Sequence, residues 1–260
     1  MKKYNVLIVI SFILIVFSIP LASAQVNENQ NNEKICLIYF TGVGCPHCAK
    51  TDPVVLEELP KEYKNLVIIE YEIYQQRENA PLILKYNDKY NTGTGIPLII
   101  IDNDTKIIGD TPIINNIRKK LNEMNENNCL LLNGSVSFNS LDLNSLPGYP
   151  KIWSNEKVMI KSSDSNIDLK TQNIGKNLLF ECLDDKKLNE TTPQTIHLSG
   201  KDVEFSKAVK IGSGWILEYG EKCKDDDKKN FEWNYLSGFI VGLAIICTII
   251  IAFKGRGGNK

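Results

Sequence analysis

The stretch that decides the fold is Ile35–Cys48, which reads ICLIYFTGVGCPHC. Its first seven residues, Ile35–Thr41, are apolar and rich in strand-forming types, so they predict a buried β-strand. Gly42-Val-Gly44 ends that strand, and Cys45-Pro-His-Cys48 follows at once. The residues beyond Cys48 predict a helix. The sequence therefore places a closely spaced pair of cysteines at a strand-to-helix junction.

The segments that follow alternate between predicted helices and strands. Apolar periodicity, prolines and turn residues predict first a helix to about Leu59, kinked by Pro53 and ended by Pro60, and then a strand over 66–74. A helix from Pro81 to about Tyr90 follows, then a strand over 98–101 and, after the turn at 102–104, a strand over 106–109. The last predicted element is a helix capped by Thr111 and begun by Pro112. The predicted order is β-α-β-α-β-β-α.

The two cysteines predict thiol chemistry. A cysteine at a helix N-terminus faces unpaired N–H groups and the positive end of the helix dipole, which stabilise its thiolate. Cys48 lies three residues after Cys45, close enough to form a disulfide with it and to displace a substrate from a mixed disulfide. We therefore predict Cys45 as the attacking thiol and Cys48 as the resolving thiol. Pro46 and His47 are expected to tune the stability of the thiolate.

A CxxC pair also occurs as half of a zinc site or as an ordinary disulfide. Zinc needs two further ligands, and the sequence offers one other histidine, His197, and no second CxxC. No metal and no dissociable cofactor are predicted.

The segment from Tyr39 to Cys48, the predicted element order and Ile96-Pro97 before a strand together resemble the thioredoxin fold, with a CPHC motif similar to that of the DsbA-type oxidants. The resemblance covers about residues 33–126. It implies a thiol–disulfide oxidoreductase whose catalytic residues are Cys45, Cys48, His47 and Pro46. It also implies that Ile96–Pro97 is a cis peptide bond opposite the active site and binds substrate through its backbone.

The sequence departs from the thioredoxin pattern at one position. Thioredoxins have a buried acid six residues before the first cysteine, and it assists proton transfer to the resolving thiol. Here that position is Tyr39. Glu70 or Glu72 on the next strand is a candidate substitute, although strand glutamates are more often simply exposed to solvent.

The second half, residues 127–224, predicts a small β-sandwich or barrel without a catalytic constellation. Short apolar or alternating segments stand between Asn, Asp, Gly and Pro clusters, at 136–138, 158–160, 178–183, 195–198, 209–211 and 215–219. Four further cysteines outside the predicted membrane segment, Cys36, Cys129, Cys182 and Cys223, allow three pairings. We favour a structural disulfide between Cys182 and Cys223, which leaves the other two bonded or free.

The two ends of the chain predict its location. Residues 1–24 have the basic start, apolar run and small residues of a cleaved signal peptide, and residues 25–32 form a polar linker. Residues 235–253 are uncharged and long enough for a transmembrane helix, preceded by a juxtamembrane stalk at 225–234 and followed by a cytoplasmic tail at 254–260. We expect a single-pass protein of the cell membrane whose main part lies outside the cytoplasm and whose C-terminal helix contacts the lipid bilayer.

The predicted fold class is therefore α/β: a thioredoxin-like domain at 33–126 with a central mixed sheet flanked by helices, then a small sandwich-like β-rich domain and a single transmembrane helix. Thirty Lys and Arg against 31 Asp and Glu give a net charge of −1, which argues against nucleic-acid partners.

The leading functional hypothesis is an enzyme that exchanges disulfides with exported proteins or thiols and depends on a membrane redox partner. The alternatives are a non-catalytic membrane module that binds clients or a complex, and a protein that handles Cu(I) through the CxxC.

Overall fold

The computed structural model describes residues 34–160, 168–181, 183, 195–197, 200–212 and 214–220. The predicted signal peptide, linker, stalk, transmembrane segment and tail all lie outside the described residues. In the described part, no helix combines the length and the apolar character needed to cross a membrane.

The strand β1 (Ile35–Thr41) lies at the centre of the sheet, and all seven of its residues are buried. It pairs in parallel with β2 (Leu66–Glu72) and antiparallel with β3 (Leu98–Ile100). Because successive side chains of a strand point to opposite faces, an apolar run without alternation suits a strand covered on both sides.

Helices cover both faces of this central region. The chain after Cys48 is helical throughout, as α1 (Cys48–Asp52), a π-helical turn (Pro53–Glu58) and α2 (Leu59–Glu62). This helical stretch and α4 (Asp110–Asn122) pack their apolar residues on one face of the sheet. The helix α3 (Ala80–Tyr90) packs on the other face.

The elements up to residue 122 follow the predicted order, and the three largest differences in their bounds are these. The first helical stretch continues past Pro60 to Glu62. The strand β2 ends at Glu72, two residues early. The helix α4 begins at Asp110 after Gly109, so Thr111 is not its N-cap.

The second half of the chain does not form a separate domain, so the predicted fold class is wrong. The strand β7 (Lys151–Ser154) pairs antiparallel with β2 and places Lys151 opposite Glu70. The sheet continues through β8 (Lys157–Ile160), β12 (Gly214–Glu218) and β11 (Lys207–Ile211). In the described residues this makes one eight-stranded, mostly antiparallel sheet in the order β11-β12-β8-β7-β2-β1-β3-β4, where β4 is Lys106–Ile108.

The second half of the chain extends the first sheet because β2 has two edges. The strand β1 satisfies one row of its backbone N–H and C=O groups, and the other row must be paired wherever it is buried. The strand β7 provides those partners. A separate sandwich would instead have left β2 as a sheet edge.

The remaining elements are small. Two hairpins complete the described strands, β5 (Cys129–Leu131) with β6 (Gly134–Val136), and β9 (Thr195–His197) with β10 (Asp202–Glu204). A strand was predicted at 178–183, but α5 (Leu169–Leu178) ends where that strand was expected to begin. Asp168 caps α5, because its side chain accepts the Thr171 N–H.

Candidate active site

The CPHC segment lies between the end of β1 and the first turn of α1. The chain turns there through a hydrogen bond from the Cys45 N–H to the Gly42 carbonyl, 3.0 Å long, and the Ala49 N–H then donates to the Cys45 carbonyl at 2.9 Å. These contacts hold Cys45 just before the helix and make Cys48 its first residue. The strand-to-helix junction predicted from the sequence is confirmed.

Cys45 and Cys48 are free thiols in direct contact. Their Sγ atoms are 2.6 Å apart, with the Cys48 thiol directed at the Cys45 sulfur. The backbone N–H of Cys48 also points at the Cys45 sulfur, at 3.2 Å. Cys45 is 6% exposed and Cys48 is fully buried. The two donors therefore converge on the sulfur that solvent can reach.

The electrostatic environment of Cys48 favours its protonated form. Burial raises the pKa of the Cys48 thiol far above its usual value, and the adjacent Cys45 raises it further. The Thr41 hydroxyl, which hydrogen-bonds Cys48, offsets part of this effect. Cys48 is thus the thiol that must lose a proton before it can attack a disulfide.

In the helix that begins at Cys48 lies a buried carboxylate, Asp52, which our sequence reasoning missed. Its Oδ1 accepts hydrogen bonds from the Thr41 hydroxyl at 2.6 Å and from the Tyr39 hydroxyl at 2.7 Å. The Thr41 hydroxyl also lowers the pKa of the Cys48 thiol, so Thr41 stands between Cys48 and Asp52. One signal could have revealed it: Asp52 is four residues after Cys48, which puts both on one helix face.

Neither glutamate predicted as a substitute acid is joined to the thiols by a described hydrogen bond. Glu70 is buried and accepts hydrogen bonds from the Trp153 indole N–H at 2.6 Å and from Lys151 at 3.1 Å. Burial raises the pKa of the Glu70 carboxyl, although Lys151 and Trp153 counteract this. Glu70 therefore links β2 to β7, and it is not solvent-facing.

Glu72 fixes the loop that leads into the active site. Its carboxylate accepts the N–H groups of Val43 at 2.9 Å, Tyr74 at 2.8 Å, Gln75 at 2.9 Å and Gln76 at 2.7 Å. Burial alone would raise the pKa of Glu72, but these four donors more than compensate and hold it below its usual value. The carboxylate thus ties the loop before Cys45 to the turn after β2.

His47 and Pro46 are both exposed, and His47 has a charged neighbour. Its Nδ1 atom lies 3.2 Å from Oδ2 of Asp110, the first residue of α4, and the same oxygen accepts a hydrogen bond from Lys50 at 2.7 Å. No sequence pattern predicts this contact, because Asp110 lies 60 positions after Lys50 in the chain.

Ile96 and Pro97, the predicted substrate-binding residues, lie beside the loop that precedes Cys45. The peptide bond between them is cis, as the resemblance implied. A methyl group added at Gly42 would come within 2.8 Å of the Ile96 side chain and equally close to the ring of Tyr74. Tyr74 is half exposed, so an apolar surface borders this loop.

The structural disulfide of the described residues joins Cys36 to Cys129, a pairing that the sequence left open. The sulfurs are 2.06 Å apart, and both residues are fully buried. The bond connects β1 to β5. The predicted pair Cys182–Cys223 lies outside the described residues.

Comparison with known proteins identifies no relative. No family model matches the chain, and no curated protein or solved structure matches it either. Within the described residues, no group of three or more His, Cys, Asp or Glu side chains is placed to hold a metal ion.

Proposed function

We propose that this chain is a thiol–disulfide oxidoreductase that exchanges disulfides with protein or peptide thiols through Cys45 and Cys48. One observation carries the proposal: the Sγ atoms of the free cysteines Cys45 and Cys48 lie 2.6 Å apart, and only Cys45 can be reached from solvent. This asymmetry suits an attacking thiol and a resolving thiol. The likeness of CPHC to the motif of DsbA-type oxidants supports the same assignment.

In the direction that reduces a substrate, the Cys45 thiolate attacks one sulfur of the substrate disulfide. A bond forms between Cys45 and that sulfur, and the other substrate sulfur leaves as a thiolate and takes up a proton. Cys48 then loses its proton and attacks Cys45, which releases the second substrate thiolate. The substrate gains two electrons, and the Cys45–Cys48 pair loses them.

In the opposite direction a substrate thiolate attacks Cys45 of the Cys45–Cys48 disulfide, and Cys48 leaves as a thiolate that takes up a proton. A second substrate thiolate then attacks the mixed disulfide and frees Cys45. The substrate becomes oxidised by two electrons. Both directions use the same atoms, and the reduction potential of the pair decides which one prevails.

Asp52 would serve as the proton acceptor for Cys48, acting through Thr41. In the mixed disulfide Cys45 is bonded to substrate, so the Cys48 S–H can turn from Cys45 to the oxygen of Thr41, whose own hydrogen is donated to Asp52. A proton can therefore pass from sulfur to the Thr41 oxygen while the hydroxyl proton passes to the carboxylate. Because burial disfavours the Cys48 thiolate, such an acceptor matters most in the resolving step.

The buried Cys36–Cys129 disulfide supports a location outside the cytoplasm, since structural disulfides persist in oxidising compartments. The signal peptide predicted at residues 1–24 agrees with this location. An enzyme so placed exchanges electrons with a membrane redox partner, either a quinone-linked protein or a transmembrane electron carrier. Its substrates would be exported proteins and thiols.

A single-turnover experiment tests the proposal. The full-length chain with reduced Cys45 and Cys48 is mixed with an excess of a disulfide-bonded peptide, and its products are mapped by mass spectrometry. We expect one peptide to be reduced for each Cys45–Cys48 disulfide formed. In Cys48→Ala a mixed disulfide should accumulate at Cys45, and in Cys45→Ala no adduct should form at the buried Cys48.

The opposite result would be equally clear. If the wild-type chain leaves the peptide disulfide intact, or if Cys48 forms adducts as readily as Cys45, the proposed function is wrong. A binding module would retain the peptide without changing its disulfide.

A further inference from the structure

Asp110 is the fixed anion of the active-site surface. Its side chain is 12% exposed, whereas the side chains of its two partners, His47 and Lys50, are 64% and 63% exposed. Oδ1 of the carboxylate accepts the Thr111 N–H at 2.9 Å, which secures the carboxylate at the start of α4. One fixed carboxylate therefore pairs with two exposed side chains.

Both partners belong to the segment that carries the thiols. His47 lies between the two cysteines, and Lys50 lies two residues after Cys48. Lys50, and His47 when it is protonated, add positive charge within a few residues of Cys45 in the same segment. Positive charge stabilises a thiolate and so favours the reduced form of the pair. Asp110 pairs with both cations and offsets their charge.

Asp110 is ionised under all ordinary conditions. Lys50, the Thr111 N–H and His47 together hold the pKa of its carboxyl well below the usual value. Its effect on the thiols is therefore constant across the pH range in which thiol exchange takes place. The helix α4 follows the β3–β4 hairpin in the chain. Asp110 is therefore far from His47 and Lys50 in sequence, and the fold brings them together.

We propose that Asp110 is a positioning residue that orients His47 and Lys50 and limits how oxidising the Cys45–Cys48 disulfide is. The inference rests on the proposed function and deepens it, because it says what sets the balance between oxidation and reduction. Neutralising Asp110 while keeping its shape should leave the two cations uncompensated. The Cys45 thiolate is then more stable, and the disulfide becomes a stronger oxidant.

The experiment compares equilibrium constants with glutathione. Asp110→Asn in the full-length chain should shift the equilibrium toward the reduced pair by about three- to tenfold, which corresponds to about 15–30 mV. Cys45 of this variant should also be alkylated faster than wild-type Cys45 at pH 6. Lys50→Met removes a cation and keeps Asp110, so it should shift the equilibrium in the opposite direction.

Two controls separate a positioning role from a structural one. Asp168→Asn removes another acid at a helix start, far along the chain from the thiols, and should leave the equilibrium unchanged. In a His47→Ala, Lys50→Met background, Asp110→Asn should lose most of its effect, because the charges it offsets are gone. A merely structural role would alter thermal stability without moving the equilibrium.

The proposal is overturned if Asp110→Asn folds and leaves the glutathione equilibrium unchanged, or if Lys50→Met shifts it the same way as Asp110→Asn. Should Asp110→Asn fail to fold, Lys50→Met decides alone, because this exposed lysine can be replaced without disturbing the core. Whichever of these results is found, the wild-type protein still exchanges disulfides. If the proposed function itself were wrong, Cys45 and Cys48 of the wild-type protein would be unreactive.

Discussion

The Thr41 hydroxyl donates a 2.6 Å hydrogen bond to Oδ1 of Asp52, which lies one helical turn after Cys48. Thr41 is the last residue of the central strand, and Asp52 ends the first helical turns after Cys48. The contact therefore joins the two elements that hold the cysteines. It also gives the buried thiol a route to a carboxylate that bulk solvent does not provide.

Replacing Asp52 by Asn should slow the resolving step and spare the first one. The amide cannot take up the Cys48 proton, and loss of a positioned proton acceptor costs about 10²-fold or more in rate. In rapid-quench single-turnover experiments the mixed disulfide should form at the wild-type rate and decay slowly. Thr41→Val should act in the same direction, since it breaks the same chain.

Glu70→Gln is the matched control for Asp52→Asn, because Glu70 is equally buried and bonds to Trp153 and Lys151 instead of the thiol chain. Its resolving step should stay near the wild-type rate. Equal rates for decay of the mixed disulfide in Asp52→Asn and wild type would rule out the relay.

The stability of the reduced protein should fall as pH rises above about 8.5. The pKa of Cys48 is raised in the folded state, so the unfolded chain loses this proton first, and stability declines from the unfolded pKa upward. The slope attributable to Cys48 reaches at most about 1.4 kcal/mol per pH unit. The free energy of unfolding in urea is measured for wild type and Cys48→Ala between pH 7 and 10. The difference between their two pH slopes is the slope due to Cys48. Parallel pH profiles for the two proteins would show that Cys48 is not perturbed.

Glu72→Gln should destabilise the protein at pH 7. The Glu72 carboxylate accepts four backbone N–H groups, and hydrogen bonds to a charged group contribute about 1.5–3 kcal/mol each. The amide keeps the shape but loses the charge, and its NH2 group cannot accept the two N–H groups that one carboxylate oxygen accepts, so we expect the free energy of unfolding in urea to fall by at least about 1–3 kcal/mol. Because the pKa of Glu72 is lowered on folding, its contribution is present above about pH 4.3 and disappears as the pH falls.

The pH dependence supplies the check on the Glu72 prediction. The difference in stability between wild type and Glu72→Gln should shrink steadily below about pH 4.3. A difference that stays constant down to pH 2 would mean that the charge of Glu72 is not what holds the loop.

Removing the Cys36–Cys129 disulfide should reduce stability and leave the chemistry intact. The bond closes a loop with a sequence separation of 93 residues, for which chain entropy predicts about 4–5 kcal/mol at most. The double variant Cys36→Ala, Cys129→Ala should unfold at lower urea concentration and still reduce the peptide disulfide. Loss of exchange in a folded double variant would assign these cysteines a redox role.

Local features of the site follow well from the sequence. The apolar run of β1 and the glycines after it specify the strand-to-helix junction, and the CPHC spacing specifies the contact between the two thiols. The cis bond before Pro97 came from a family resemblance and is present in the structure. All these features depend on residues that are close together in the chain.

The features that escaped prediction depend on distant residues. The pairing of Lys151 with Glu70 joins positions 81 residues apart, and it decides that the second half extends the first sheet. The four residues of β7, Lys151–Ser154, were not predicted as a strand, and nothing in them shows which strand they pair with. Asp110 reaches His47 only because α4 packs beside α1, and Asp52 is recognised as buried only once the helix has been placed on the sheet.

The most direct test of the central claim is the redox equilibrium of the full-length chain in glutathione buffers, with free thiols alkylated and each cysteine mapped by mass spectrometry. We predict that Cys45 and Cys48 lose their thiols together, at one potential, and form a disulfide with each other. If the two cysteines titrate independently, or form only separate glutathione adducts, they are not a redox pair and the proposed function is contradicted.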